Sequence, residues 1–268
     1  MSYLQAIRAF WAHDLNEQLS YPLIMVQRLV SAATLLFLLY YGGQLVDAEV
    51  AQNQLQAPFF LYSLTGIATL QLLHACLSSF TIRVRRYQLT GLLEACLMTR
   101  TPLWQVLSAM PIFDLCFAFF RAALVLVLGF LVVGFEVSIG SIAIALLFAG
   151  LGVVLFLAVG LISSALTLVL KGGDPVGRVV QLASVTVAGT FIPRDVLPDW
   201  IALIGEFVPV APVLDGARGA LFEGAALTDL LDPLFRLVML GGFLIPVAGL
   251  VGAWGLYRVL RDGSLAHY

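Results

Sequence analysis

Two ionisable residues, Asp114 and Arg121, stand seven positions apart in an otherwise apolar run, residues 108–134. On a helix that spacing is two turns, so the two side chains share a face. A charge at membrane depth costs roughly 2.5–3.5 kcal/mol on insertion scales and points at protein or at water. Two chemistries fit: a polar lining to a substrate path, or pairing and snorkelling between helices. Aromatic residues nearby, Phe117 above all, and Phe191 further along the chain, suit a path for sugars or lipids, and equally suit acyl chains. The three histidines, His13, His74 and His267, are scattered, although His74 shares a helical face with Gln71, a pattern suited to hydrogen bonds between helices. Cys76, Cys96 and Cys116 are odd in number and form no CxxC pair, so they read as small buried hydrophobes. There is no G-x-x-x-x-G-K-[ST] phosphate loop, no HExxH, no serine triad, and a single lysine, Lys171. This polypeptide is not expected to hydrolyse ATP by itself.

One enzymatic pattern needs weighing. Residues 215–232, DGARGALFEGAALTDLLD, resemble the signature of CDP-alcohol phosphatidyltransferases. Pro212 stands where that signature begins with Asp, Arg218 follows Asp215 too closely, and Asp229 and Asp232 are misplaced relative to Gly224. The segment is also expected on the outer face, away from nucleotide-activated substrates. A membrane-embedded enzyme of this kind is the least favoured alternative.

The elements that must position these residues follow from composition. Of 268 residues, 61% are apolar and only 11% charged, with mean hydropathy +1.00. A soluble domain carries about a quarter of its residues charged, so most of this surface faces a bilayer. Four long gaps without Asp, Glu, Lys or Arg locate crossings, each able to hold the roughly 20 apolar residues that span hydrocarbon as a helix, and two further candidates carry charge: 108–134 with Asp114 and Arg121, and 175–193 with Arg178. The fold class expected is an all-α integral membrane protein, one domain over residues 1–268, with six transmembrane helices at 22–45, 59–82, 108–134, 141–170, 175–193 and 235–257. With the N-terminus inside, eight Arg and Lys residues fall in cytoplasmic segments and two, Arg194 and Arg218, in outer ones. That bias puts both termini in the cytoplasm. No cleavable signal is expected, because the first apolar run begins at about residue 22 and is too long for one.

Three segments depart from plain crossings. Residues 3–19 place Leu4, Ile7, Phe10, Trp11, Leu15 and Leu19 on one helical face, so residues 1–20 read as an amphipathic helix in the membrane interface. Residues 171–175, KGGDP, form a turn too short for any catalytic domain. Residues 191–224 interrupt apolar pieces with Pro193, Pro198, Pro209 and Pro212. Irregular backbone at membrane depth survives only when shielded by protein or lining a wet cavity. Hence 197–225, with Trp200 and Arg218, is expected to be one or two short re-entrant helices dipping into the outer leaflet between spans five and six.

The stretch RRYQLTGLLEACLMTRTPLWQVL, residues 85–107, is the densest in motif and charge. It resembles the cytoplasmic segment between spans two and three of ABC-2 type transporter permeases, with the pattern G-x-L-E-x-L-x-x-T-P and a following aromatic. Gly91, Leu93, Glu94 and Thr99 match, with Leu97 one position after the second leucine of the pattern, and Pro102-Leu103-Trp104 continues it; Arg100 replaces the usual first proline and Ser108-Ala109 a frequent Gly-Lys pair. LSYPL at 19–23, KGGDP, and FIPRDVLPDWI with VPVAPVLDGARGAL resemble further landmarks of that family in the right order.

The resemblance implies a membrane subunit of an ATP-driven ABC exporter. In that reading Leu93, Leu97 and Trp104 are apolar anchors, with Arg85, Arg86, Glu94 and Arg100 around them, on a coupling helix that docks onto a separate ATPase subunit. The chain works as a homodimer of twelve spans, with the translocation path between copies, possible lining at Asp114, Phe117, Arg121 and Phe191, and the re-entrant segment capping its outer end. Cofactors and metals are expected to be absent from this chain; ATP and Mg belong to the partner. Partners are the ATPase, a second permease copy and membrane lipid, but no nucleic acid. The expected location is a bacterial cytoplasmic (inner) membrane. Cargo is a polysaccharide, a lipid-linked glycan, or an amphipathic or drug-like compound. An ion-coupled secondary transporter is the other alternative, but it would need paired intramembrane ionisable groups and usually an internal repeat. Only Asp114 and Arg121 meet the first need.

Overall fold

The computed structural model describes residues 11, 12, 15, 16, 20, 22–47, 59–89, 111–170 and 174–261. The backbone at Arg85 and Arg86 is included but their side chains are not, and residues 90–110, which hold the rest of the expected coupling segment from Gly91 to Trp104, lie outside the described residues, as does most of the expected interfacial helix. Among the described residues the chain is helix and turn, with no strand. Eight α-helices follow in order: α1 (Pro22–Asp47), α2 (Phe59–Leu89), α3 (Ile112–Val133), α4 (Ile139–Leu170), α5 (Pro175–Thr186), α6 (Asp199–Glu206), α7 (Val210–Phe222) and α8 (Leu231–Arg261). A 3-10 turn, Arg194–Val196, precedes α6.

Local chemistry sets these boundaries. Proline opens α1 and α5 at the first helical positions, where a missing N–H costs nothing. Asp174 caps α5 by accepting a hydrogen bond from the Gly177 N–H at 2.7 Å. Gly134 ends α3 at φ 70°, a left-handed residue that lets the Phe135 N–H reach the Phe130 carbonyl at 3.0 Å.

Helices α2 and α4 form the centre. Helix α4 packs on α2, α5, α7 and α8, while α2 packs on α1, α3, α4, α5 and α7. The two approach closely at Gly160, where a Cβ would overlap the Cys76 carbonyl. Gly152 likewise lies under Val213, whereas Gly150 and Gly249 face open space and bring no helices together. Burial is uneven along the crossings. The apolar window of α2 is 78% buried, against 22% for α3, 39% for α4 and 17% for α8. Helices α3 and α8 turn Phe120, Leu131, Phe243 and Leu250 outward, an apolar surface that water would not tolerate at this extent.

Four helices are long and apolar enough to cross a membrane: Phe59–Ile82, Ile112–Val133, Ile139–Leu170 and Leu231–Gly255. They coincide with four of the six expected crossings. The 26-residue α1 covers the first expected crossing and contributes the apolar stretch Thr34–Gly43. Over the expected fifth, 175–193, the helix α5 stops after 12 residues at Thr186. It stops because Gly189 adopts φ 80° and the Thr190 hydroxyl donates back to the Ser184 carbonyl at 2.5 Å, folding the chain onto α2. The expected short helices between the last two crossings are present as α6 and α7, which meet at 90°.

Candidate functional site

The bent pair is built by the prolines that punctuate the sequence. Pro198 precedes α6 and its carbonyl accepts from the Ile201 and Ala202 N–H groups; Pro209 precedes α7, and Pro212 sits buried in the first turn of α7. Each stands where the missing N–H is tolerated. Pro193 starts the 3-10 turn in the same manner. The two helices differ in burial. Ten of the thirteen residues of α7 are buried, whereas α6 turns Trp200 and Phe207 outward at 67% and 71% exposure.

At the root of α7 lies Arg218, only 9% exposed. Its guanidinium spends every direction of its donor fork. Nη1 donates to the Gly189 carbonyl at 2.7 Å, and Nη2 to the Thr190 and Tyr62 carbonyls, both at 2.9 Å. Nε donates to the Thr65 hydroxyl at 3.0 Å, and the guanidinium lies 3.5 Å over the Tyr62 ring. The Tyr62 hydroxyl in turn donates to the Gly189 carbonyl at 2.9 Å. Arg218 therefore ties α7 and the segment after α5 to α2. Gly66 completes the node: a Cβ there would overlap the Thr190 carbonyl, so only glycine lets that segment reach the α2 backbone.

Ion pairs surround this node. Arg194 pairs with Asp215 of α7, and Arg236 of α8 pairs with Glu206 at 3.2 Å and Asp232 at 3.0 Å. Next to Thr65 an apolar cavity of about 180 Å³ opens between α2, α3, α4 and α7, with Thr69, Phe119, Ala149 and Val213 in its wall.

All of this gathers at one end of α2. Tyr62, Thr65 and Gly66 lie in the first turns of that helix, and residues 85–107 leave from its other end. Its 31 residues reach about 46 Å. Helix α2 continues seven residues past the apolar limit at Ile82, so the backbone of Arg85 and Arg86 is one rod with the crossing.

The profile of the ABC-2 type transporter family matches residues 6–222. The chain belongs to that family. No curated protein matches it at the threshold used for relatives. As an ABC-2 chain it is an integral membrane protein and the permease part of an ABC transporter, a class that partners an ABC ATPase subunit.

The remaining expected site residues of this permease disperse over two levels. Arg121 donates from Nε to the Gln71 amide oxygen of α2 at 3.1 Å. Asp114 lies in the first turn of α3 and is half-buried. Phe117 stacks on Phe113 with ring centroids 6.3 Å apart, and the Trp11 ring meets Phe113 edge-on at 5.2 Å. Trp11 thus lies against the start of α3. Phe191 is half-buried in the turn after α5, far along the chain from Asp114. The structure thus brings Arg218 together with Tyr62, Thr65 and Thr190, which sequence reading did not single out. The available signal was a run of small and hydroxyl residues, Ser63, Thr65, Gly66 and Thr69, in an apolar helix.

Proposed function

We propose that this chain is the permease of an ATP-driven exporter that works as a homodimer of six-crossing subunits. Both termini are cytoplasmic in a bacterial inner membrane, and hydrolysis of ATP takes place on the partner. The six crossings are α1, α2, α3, α4, α5 with its continuation to Pro193, and α8. The bent pair α6–α7 forms the re-entrant outer cap of a path between the two copies. The 85–107 segment is the coupling handle, with Leu93, Leu97 and Trp104 as anchors and Glu94 and Arg100 fixing register. Cargo is an amphipathic or lipid-linked compound.

The observation that favours this reading most is the placement of the two special segments at opposite ends of one buried helix. A permease driven from one side of the membrane must carry a push from its handle to a gate on the other side. A continuous helix packed on five neighbours is a suitable rod. Co-purification tests the handle. Leu97→Asp and Glu94→Arg are each expected to lower recovery of the ATPase with the tagged permease at least about tenfold, as loss of an interface anchor does, while the permease still inserts. Full retention of the ATPase by both variants would remove the coupling assignment.

A further inference from the structure

Helix α2 is the most enclosed crossing, yet it exposes a histidine. Between Phe59 and Thr81 His74 is the single exposed side chain. It lies eight residues in from Ile82, about 12 Å along the helix from that apolar limit. The His74 Nδ1 sits 2.7 Å from the Gln181 amide nitrogen of α5 and accepts from it. With Nδ1 accepting, a neutral imidazole carries its proton on Nε2, a donor on an exposed residue. One turn before Gln181, Arg178 is exposed too, and its guanidinium has no ion pair or hydrogen bond among the described residues. One turn above His74, Gln71 holds Arg121. The result is a polar strip across α3, α2 and α5: Arg121, Gln71, His74, Gln181, Arg178.

Acyl chains make a costly neighbour for such a strip. Its flank is apolar, because Val179 and Leu182 of α5 are each 66% exposed. Two carboxylates lie nearby, and neither is on the strip. Asp174 is taken up by the Gly177 N–H and the Ser163 hydroxyl at the cap of α5. Asp114 is two turns below Arg121 on α3. The outward groups are therefore mainly donors, next to an oily margin.

We propose that the α2–α5 strip is a water-accessible cargo subsite that binds the oxyanionic head of an amphiphile, a phosphate or carboxylate, with its tail along Val179 and Leu182. Arg178 and His74 are the head-binding donors, and Gln181 and Gln71 hold His74 and Arg121 in place. This rests on the reading of the chain as an exporter permease, but its test reads the strip alone and is independent of ATPase recovery.

The test uses the full chain with its ATPase in native membrane vesicles, in a background where Cys76, Cys96 and Cys116 are replaced by Ala. Single cysteines are placed by His74→Cys, Gln181→Cys and Arg178→Cys, with Phe243→Cys on the apolar face of α8 as control. Each is labelled with a sulfonate-bearing and with a trimethylammonium-bearing thiosulfonate, and each rate is divided by that of a free thiol in solution. Positions 74 and 181 are expected to label, with the anionic reagent preferred by about tenfold, and Phe243→Cys to stay unlabelled. Arg178→Gln added to Gln181→Cys should remove most of the preference. Dodecyl phosphate should slow labelling where dodecyl maltoside does not. Absence of labelling at both positions would overturn the subsite, and so would equal rates with the two reagents or protection by both amphiphiles. Arg178→Cys should label without that preference, and if His74→Cys fails to yield a monodisperse protein, Gln181→Cys, which keeps both donors, carries the comparison.

Discussion

Replacing Arg218 by Met keeps the length of the side chain and removes its fork. Four hydrogen bonds between 2.7 and 3.0 Å and the stacking over Tyr62 are lost. Polar contacts between membrane helices are worth about 0.6 kcal/mol on average, and up to about 1.7. A desolvated cation over an aromatic ring adds about 1–2 kcal/mol. The gross loss is thus roughly 3–9 kcal/mol. Against it stands the relief of no longer holding a guanidinium at membrane depth, about 2.5–3.5 kcal/mol. The loss wins, because Met offers the Gly189, Thr190 and Tyr62 carbonyls no donor in exchange. A net destabilisation of about 2–4 kcal/mol is expected, and with about 2–4 °C per kcal/mol for chains of this size the Tm of the detergent-solubilised permease falls by roughly 5–15 °C. Thr65→Val separates the node from a general packing effect. It should cost about 0.6 kcal/mol more in the native background than once Arg218→Met is present, since the bond from Arg218 is then already gone while the Thr65 hydroxyl's bond to the Tyr62 carbonyl is lost in both. A Tm unchanged by Arg218→Met, or full additivity of the two substitutions, would refute the claim that Arg218 holds the segment after α5 on α2.

Two further outcomes follow from the same end of the molecule. Gly66→Val pushes its Cβ into the Thr190 carbonyl, a backbone atom that cannot rotate away; it should lower Tm by at least as much as Arg218→Met, while Gly150→Val, in open space on α4, should change it by less than about 2 °C. Arg194→Asp alone leaves Asp215 facing a like charge and should reduce the yield of folded protein in size-exclusion chromatography, and the swap Arg194→Asp with Asp215→Arg should restore most of it. A swap no better than the single change would show that this pair does not set the position of the 3-10 turn on α7.

The crossings were legible because hydrocarbon imposes a length and forbids charge, and both constraints are written in one dimension. Four expected spans therefore match helices to within a few residues at most ends. The bent pair was legible for a related reason: Pro198, Pro209 and Pro212 cut the apolar run into pieces too short to cross, and each proline turned out to open or begin a helix. What failed to show was anything decided by contact between distant segments. Residues 175–193 read as one continuous helix, but the end of α5 at Thr186 is set by Gly189 and by the Thr190 hydroxyl reaching back to Ser184. Arg218 read as one more outer charge, since its acceptors are backbone carbonyls at positions 62, 189 and 190, which carry no sequence signature. Gln71 and His74 were legible as a shared face suited to bonds between helices, and those bonds exist to α3 and α5. That His74 is also exposed depends on the gap between α3 and α5, which no periodicity reports.

The node and the strip lie on the same rod, and this constrains how the permease can move. Helix α2 touches five other helices and has no proline or left-handed residue between Phe59 and Leu89, so it has no evident hinge of its own. A displacement imposed at residues 85–107 therefore reaches Tyr62 as tilt or translation of the whole helix and not as bending. At the far end Arg218 binds carbonyls of α2 and of the segment after α5 together, so these two cannot separate without stranding its donors. The weaker joints are elsewhere: α6, whose apolar side is exposed, and the Arg236 pair with Glu206, which is partly solvated and screened. Motion transmitted along α2 would carry α7 and the 189–190 turn as one body and change the angle at Phe207–Pro209, between α7 and α6. On the exporter reading proposed above, the Arg218 clamp at one end of a single rigid helix thus couples a displacement at its other end to the angle of the bent pair.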